Sequence, residues 1–519
     1  MDQRNTHGRT TVEGHPGAPG AAKARALRAG CLAAILAAWS FAPPAAVAQN
    51  VTTYHGAANR SGMYVMPGLT WSSAAGVHLD TNFRATIQGQ VYAQPLYWTQ
   101  PGASTGLVLV ATTSNYLYAL DAATGAVVWQ RLIGSSVSLG ALPCGNVNPI
   151  GVVGTPAIDP VGKILYVDAL VGRASGPRHL VFAFSLVDGT QVAGWPIDVA
   201  SALARLGQTF DPRVHGARGA LAVVNGHLYV TYSGNSGDCG SYNGWVVGFD
   251  LTSKQVSGAW ATRAQGGGIW GQGGVSYDGT SMFVATGNTR GTSTWSDGEA
   301  VIRLNPTLAH SASTADYFTP SNWQSLDNAD LDLGGTGAVP VDVPLSTGTL
   351  RRVLALGKDG NAYLLDRANL GGVGGQLAVA HVSNGGITTA PAVYPLGQAA
   401  MVAFQGGGSN CPAGQGSGNL TALKITGDAA NPITTAWCGA FSGRGAPVVT
   451  TSDGTANPIV WVVGADGDSL LHGFRGTDGV ALFTGAGVSM TGLHHFQTML
   501  VAGGRIYVAA DGMVYAFTP

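Results

Sequence analysis

Short runs of alternating hydrophobic and polar-facing positions recur along the chain. In residues 116–129, YLYALDAATGAVVW, Leu117 and Ala119 alternate with larger side chains, as is typical of a strand. Asp121 then opens a turn, and Gly125 supplies a residue that is free to adopt positive φ. The hydrophobic residues that follow begin a second strand. The pattern therefore predicts a strand, a tight turn and a strand.

Degraded copies of this unit follow along the rest of the chain. They lie at 181–195, 245–260, 300–309, 362–372, 420–437, 470–483 and 513–519. The eight units are spaced 43 to 65 residues apart, and such strand-rich repeats favour blades that bury their faces against one another in a ring. The sequence thus predicts an all-β fold, an eight-bladed β-propeller with four-stranded antiparallel blades. Because the spacing is irregular, a β-sandwich array is the alternative.

Segments rich in small residues precede the repeats and predict the inner strand of each blade, because small residues permit close approach at an axis. The predicted inner strands are 91–98, 154–159, 217–224, 269–277, 331–341, 387–394, 443–449 and 495–502. Their first polar or aromatic side chains are expected to face a central mouth, a usual place for a ligand. These residues are Gln94, Thr155, Arg218, Trp270, Asp332, Thr388, Arg444 and His495. The alternative is that they bond only to one another and to water.

One further segment has a predicted role in the ring itself. Residues 78–89, HLDTNFRATIQG, are expected to close the ring against the last blade, because a propeller must hide its open edge. The preceding residues, 53–71, are predicted to form an irregular lead-in.

Composition narrows the range of partners. The chain has 519 residues, of which 78 are glycine and 10% are charged, with a net charge of −1. Without a basic excess, neither nucleic acid nor an anionic membrane surface is an expected partner. The glycines show no collagen period and are expected to mark turns.

The first 48 residues are predicted to be a disordered N-terminus plus a signal peptide. A basic stretch at 23–30 precedes an apolar stretch at 31–42, and small residues lead to an expected cleavage near Ala48. This predicts a single domain over 49–519 that is periplasmic or secreted. A retained N-terminal anchor is the alternative, and no later stretch is a transmembrane candidate.

Four cysteines remain after the expected cleavage, and an even number in an oxidising compartment predicts two disulfides. Cys411 and Cys438 would close a short loop within one blade, which leaves Cys144 and Cys239 as the second pair. No C-x-x-C-H motif is present, so no attached c-type haem is expected, and no zinc-binding spacing occurs.

The repeat LYALDAATGAVVW resembles the tryptophan-docking repeat of the pyrroloquinoline quinone (PQQ) dehydrogenases, which are eight-bladed quinoproteins. GQVYAQPLY, CGNVNPIGVVGTPAID, GGGIWGQGG and LGKDGNAYLLDRANLG resemble segments of a secreted branch with such repeats. The resemblance extends from about Tyr54 to the C-terminus. Because non-catalytic propellers also carry the repeat, the residues of the site matter more.

The resemblance assigns expected roles to four residues. Trp270 would stack on a flat quinone, and Asn288, eighteen residues later, would ligate calcium through its amide oxygen. Asp332, with Asp330 beside it, would contact the metal and take the hydroxyl proton of an alcohol. Lys358 would polarise a quinone oxygen. The other side chains expected to contact the cofactor are Arg218, Thr155, Gln94, Arg444 and His495.

Two features depart from the family pattern. Where the alcohol dehydrogenases carry a calcium-ligating Glu, this chain has Ser236, and Asp238 is the nearby substitute. The adjacent cysteine pair of those enzymes is also missing, because Cys144 stands alone near that position. A site with one fewer charged ligand would bind calcium more weakly.

The hypothesis that results is a periplasmic or secreted quinoprotein that uses PQQ and Ca²⁺ to oxidise an alcohol or sugar hydroxyl. Electrons would pass to an external acceptor such as a soluble cytochrome. The competing hypothesis is a propeller without cofactor, acting as a cell-envelope binding or assembly scaffold. A third hypothesis is a hydrolase or lyase that engages His495 and Arg444.

Overall fold

Eight antiparallel sheets carry the eight repeats and form an eight-bladed β-propeller, as the sequence predicts. This computed structural model describes residues 49–519, together with residue 11. The predicted signal peptide and its cleavage site at Ala48 lie outside the described residues.

Each blade contains an inner, a second, a third and an outer strand. The inner strands are Leu96–Trp98, Ala157–Asp159, Ala222–Val224, Ser276–Tyr277, Ala338–Leu345, Ala392–Leu396, Val448–Thr451 and Leu500–Ala502. The second strands are Leu107–Ala111, Ile164–Val171, His227–Gly234, Met282–Ala285, Gly348–Leu356, Ala399–Gln405, Ile459–Val463 and Arg505–Ala510. The third strands are Tyr116–Asp121, Arg178–Ser185, Trp245–Asp250, Val301–Leu304, Asn361–Asp366, Leu420–Ile425, Leu471–Arg475 and Met513–Thr518. The outer strands are Val127–Leu132, Ile197–Asp198, Gln255–Ala261, Tyr317–Thr319, Ala378–His381, Ile433–Gly439 and Ala481–Thr484, with His78–Leu79 in the last blade.

Short elements supplement the blades. The additional strands are Met63–Val65, Ala85–Thr86, His215–Gly216, Gln265–Gly266, Thr289–Arg290 and Gly372–Val373. The α-helices are Val199–Arg205 and Trp323–Ala329, and single 3₁₀ turns lie at Tyr54–Gly56, Ala74–Gly76, Leu139–Ala141, Leu333–Gly335 and Gly485–Gly487.

The ring closes through the segment that the sequence nominates. His78 and Leu79 pair antiparallel with Thr518 and Phe517 of the last third strand, and Ala85–Thr86 pairs further along the same strand. The N-terminal part of the propeller thus supplies the outer strand of the last blade, and the edge that an open ring would expose is covered.

The tryptophans at the ends of the repeats fasten neighbouring blades together. Trp129 packs on Gly189 in the turn of the next blade, where a Cβ would come within 2.7 Å of the indole. Trp437 packs in the same way on Gly479, at 2.6 Å. Each indole N–H donates to a backbone carbonyl of that next blade, at 3.0 Å and 2.9 Å respectively. The repeated Trp and turn Gly therefore form one joint between blades.

The segment 51–66, here called the axial segment, lines the inside of the ring, although the sequence predicts only an irregular lead-in. Its backbone bonds to inner strands of blades one, two, four, six and seven, with N···O distances of 2.7 to 3.0 Å. Met63–Val65 runs parallel to Val448–Thr451. The sequence does not show these contacts because they join residues that are far apart along the chain.

Both predicted disulfides are present, Cys144–Cys239 and Cys411–Cys438, with S–S distances of 1.99 Å and 1.98 Å. Within residues 49–519, no helix is long and apolar enough to cross a membrane.

The inner strands begin later than the sequence predicts. The fourth begins at Ser276 rather than 269, and the fifth at Ala338 rather than 331. The glycine-rich residues before these strands instead form loops that pack against one another: a Cβ on Gly271 would lie 2.8 Å from the backbone nitrogen of Gly337. The candidate residues consequently lie on loops that lead into the inner strands.

Candidate functional site

These loops surround a polar cavity of about 330 Å³. Seven of the ten residues predicted to form the site line it: Arg218, Asp238, Trp270, Asp332, Lys358, Arg444 and His495. They come from five different loops before inner strands and from two loops between second and third strands. Asp330, Asn146 and Phe496 also line the cavity.

Asp332, Lys358 and Trp270 form the most closely connected group in this cavity. The Lys358 ammonium lies 2.5 Å from the Asp332 carboxylate and 3.4 Å from that of Asp330. The same ammonium lies 5.3 Å from the centre of the Trp270 ring, which places a cation over an aromatic face. An acid, a base and a flat apolar surface therefore meet in one cavity.

Two glycines make this arrangement possible. A Cβ on Gly335 would approach the Trp270 indole to 2.8 Å, so a side chain there would push the ring from its position. A Cβ on Gly287 would lie 2.5 Å from Oδ1 of Asp332. Because Gly287 has no side chain, the next residue, Asn288, donates its backbone N–H to that oxygen at 2.8 Å.

Burial and charge give this pair unusual acid–base properties. Burial raises the pKa of Asp332, although Lys358 and the Asn288 N–H oppose the rise. Burial works against the charge on Lys358, but the carboxylates of Asp332 and Asp330 outweigh it and raise the pKa of Lys358. Asp332 is thus a stronger base than a free carboxylate and is held beside a fixed positive charge.

Glu299 is buried next to the group of Asp332, Lys358 and Trp270, and the sequence pattern did not indicate it. It is fully buried; one carboxylate oxygen accepts the Leu333 N–H at 2.6 Å, and its backbone N–H donates to Gly287 at 3.0 Å. It therefore joins the two segments that carry Asp332 and Asn288. Burial, then the nearby Asp332, raise the pKa of Glu299 well above its usual value. No sequence motif marks this residue, because its role depends on burial.

The opposite wall of the cavity carries cationic and aromatic side chains. The Arg218 guanidinium lies over two aromatic rings, 5.8 Å from the centroid of Phe496 and 5.7 Å from the centroid of Tyr92. Arg218 also donates to the Asn146 side chain at 3.2 Å. Phe496 and Trp270 face each other at a tilt, with centroids 6.2 Å apart. This wall is suited to a flat ligand with negative charge.

The two histidines before the last inner strand are anchored by separate carboxylates. Nδ1 of His495 lies 2.6 Å from Asp466, and Nε2 of His494 lies 2.9 Å from Asp511. Burial lowers the pKa of His495, and Arg218 contributes in the same direction. His495 is therefore a positioned neutral imidazole at neutral pH, with one nitrogen directed to Asp466.

The other three predicted site residues, Gln94, Thr155 and Asn288, do not line this cavity, and neither does Thr388. Gln94 and Thr155 are buried and bond to each other, with the Gln94 N–H donating to the Thr155 hydroxyl at 2.9 Å. The Gln94 side chain accepts the backbone N–H of His55 from the axial segment at 2.9 Å. Gln94 thus helps to hold the axial segment in place, and both residues lie only two positions before their inner strands.

The predicted calcium ligands do not form a suitable set of donors. Both oxygens of Asp332 already accept bonds, from Asn288 and Lys358. Asp238 accepts the Tyr242 hydroxyl at 2.6 Å and lies 3.5 Å from Arg290. Among the described residues, no group of three or more His, Cys, Asp or Glu side chains is placed to hold a metal ion. The site therefore does not fit calcium as the resemblance implies.

The same cavity does fit a flat anionic quinone. Trp270 is half-buried in the cavity wall, and Lys358, Arg218 and Arg444 line the same cavity with positive charge. PQQ is a planar tricycle with several carboxylates, for which aromatic stacking and cationic side chains are the appropriate contacts.

No family model and no curated protein matches the sequence. Solved structures do match in fold. A quinohemoprotein alcohol dehydrogenase from Comamonas testosteroni superposes with a TM-score of 0.65 and 15% identity, over 90% of this chain and 80% of that one. The quinohemoprotein alcohol dehydrogenase ADHIIG from Pseudomonas putida HK5 gives 0.63 and 12%, over 91% and 80%. A europium-containing methanol dehydrogenase gives 0.61 and 14%, over 91% and 98%. The chain has the eight-bladed fold of the quinoprotein alcohol dehydrogenases.

Proposed function

We propose that this protein is a PQQ-dependent oxidoreductase that oxidises the hydroxyl of a small alcohol or sugar. The observation that carries the proposal is the contact of Asp332 and Lys358 at 2.5 Å beside the face of Trp270, inside a cavity lined by cations. The named activities of the neighbours in fold, alcohol and methanol dehydrogenation, support the same class of substrate.

The residues that line the cavity would have separate roles in cofactor binding and in proton transfer. Trp270 would hold the quinone by stacking, and Arg218 and Arg444 would bind its carboxylates. Asp332 would remove the hydroxyl proton of the substrate at its carboxylate, for which its raised pKa suits it. Lys358 would donate a hydrogen bond to a developing negative charge on oxygen. When bound, PQQ supplies the acceptor for the hydride and its two electrons.

The proposal also covers location and electron transfer. The mature protein would consist of residues 49–519, released to the periplasm or medium after cleavage near Ala48. Two disulfides are consistent with an oxidising compartment. Because the sequence holds no C-x-x-C-H motif, electrons would pass to a separate acceptor such as a soluble cytochrome.

Reconstitution tests the proposal. The purified protein is incubated with PQQ, freed of unbound quinone and assayed with an artificial electron-accepting dye against a panel of alcohols and sugars. We expect a retained quinone absorbance and substrate-dependent dye reduction. A protein that retains no quinone at micromolar concentrations would refute the proposal and favour the cofactor-free scaffold.

A further inference from the structure

The carboxylate at the centre of the cavity is already neutralised by a side chain of the protein. Oδ2 of Asp332 contacts the Lys358 ammonium at 2.5 Å, and Oδ1 accepts the Asn288 N–H at 2.8 Å. Asp332 is only 4% exposed. A divalent ion would have to displace one of these partners to reach the carboxylate.

The second carboxylate that the sequence offers is also committed. Asp238 accepts the Tyr242 hydroxyl at 2.6 Å, and its other oxygen faces Arg290 at 3.5 Å. The residue at the position of the family's acidic ligand is Ser236, which brings no charge. Calcium usually binds six to eight oxygens, several of them charged. Each carboxylate oxygen of Asp332 and Asp238 already has a hydrogen-bond or ion-pair partner.

Lys358 provides a positive charge beside the Trp270 ring, on which a quinone would stack. It is 22% exposed, lies over the Trp270 ring at 5.3 Å and bonds to both the carboxylate and the backbone oxygen of Asp330. An ammonium has three donors, and the oxygens of Asp332 and Asp330 account for them, so Lys358 would act on a ligand above the indole through its positive charge.

We infer that Lys358 replaces the divalent cation, and that the cavity binds its quinone without any metal ion. The inference rests on the proposed function, because it concerns how the same cavity holds PQQ. It makes Lys358 a cofactor-binding residue whose charge is supplied by the chain, beside the carboxylates of Asp332 and Asp330.

Equilibrium dialysis against PQQ, followed by its absorbance, tests the inference without measuring turnover. Protein stripped of metal is dialysed in EDTA and compared with protein in excess CaCl₂. We expect the same affinity in both conditions. The Lys358→Gln variant is expected to bind about tenfold more weakly or worse, as loss of a charge-assisted contact predicts. Lys424→Gln, at an exposed lysine on a blade strand, is the matched control and is expected to bind as the native protein does.

The outcomes separate the inference from the proposed function. Binding that requires Ca²⁺ would overturn the inference and leave the quinoprotein function intact. Absence of binding in both conditions would refute the function and the inference with it. Should Lys358→Gln fail to fold, which circular dichroism would reveal, the EDTA comparison on the native protein still decides.

Discussion

Two regions of the ring each hold a cation, a buried one in the axial segment and a half-buried one in the cavity. The two cations differ in the partners that they contact. In the axial segment, Arg60 is 2% exposed and donates to the backbone oxygens of Val275, Leu221 and Tyr54, and to the Thr53 hydroxyl. In the cavity, Lys358 is paired with carboxylates and remains 22% exposed, facing an aromatic surface. Arg60 directs most of its hydrogen bonds to backbone oxygens, whereas Lys358 remains accessible to a ligand.

The difference indicates which charge serves the fold and which serves the chemistry. Burial lowers the pKa of Arg60 to about 10, so it stays charged at neutral pH, and its bonds tie together the inner strands of two blades. Lys358 makes no comparable contact with distant backbone. We therefore expect changes in the axial segment to affect stability, and changes in the cavity to affect binding and turnover.

The largest effect is expected from Asp332→Asn. Asparagine still accepts the Asn288 N–H but cannot take a proton, so turnover with reconstituted quinone should fall by about 10² to 10⁴-fold. The melting temperature should change little. Dye-linked rates and thermal melts on the same sample measure both quantities.

The exposed neighbour provides a control for this prediction. Asp330→Asn removes a carboxylate from the same loop but leaves the 2.5 Å contact of Asp332 with Lys358 intact. A loss of turnover in Asp330→Asn equal to that in Asp332→Asn would show that charge in general, and not a specific base, matters here.

The second prediction concerns the axial segment. Arg60→Met leaves several buried carbonyl groups without a donor, and the free energy of unfolding should fall by about 3 kcal/mol. Quinone affinity per folded molecule should be unchanged. Chemical denaturation and equilibrium dialysis measure the two effects, and Arg84→Met, at an exposed arginine, is the control. Loss of affinity without loss of stability would contradict the division drawn between the two regions.

Local patterns were sufficient to predict the ring, because each blade is a local repeat. Trp129 lies in a recurring outer strand and Gly189 in a recurring turn, and the closing strand at His78 follows from the need of a ring to hide its open edge. The inner strands were misplaced, because a glycine-rich loop and a strand that crowds an axis have the same composition. Glu299 could not be predicted, because a buried carboxylate is recognised by its surroundings.

The site was predicted in part for a similar reason. Trp270, Asp332 and Lys358 lie in segments that resemble those of a known family, and the structure brings them together. The calcium site was inferred from the same resemblance, which matches residue types and not the contacts that those residues make. Whether Asp332 and Asp238 are free to bind an ion depends on the side chains opposite them, which no single segment of sequence contains.

The third prediction is a pH dependence of stability that originates in the axial segment. Burial lowers the pKa of His55 from 6.5 to about 3, so the unfolded chain binds a proton in this range that the folded chain excludes. Stability should therefore decrease as pH falls from 6.5 toward 3, with a contribution of at most about 1.4 kcal/mol per pH unit. His55→Asn suits the positive φ of 56° at this position and should remove that contribution.

Denaturation curves at a series of pH values measure this slope. His78→Asn, at an exposed histidine, is the matched control and should leave the slope as it is in the native protein. An unchanged slope in His55→Asn would show that other groups account for the acid sensitivity of the fold.

The smallest effect is expected at the rim of the cavity. Arg444 is exposed, and no side chain among the described residues forms a hydrogen bond or ion pair with it. Arg444→Ala should therefore leave the melting temperature unchanged and weaken quinone binding by about two- to fivefold, the range for a solvated charge pair. Because salt screens such a charge, the difference from native protein should shrink as ionic strength rises. Dialysis at low and high salt measures this, and a difference that persists at high salt would place Arg444 in direct, desolvated contact with the ligand.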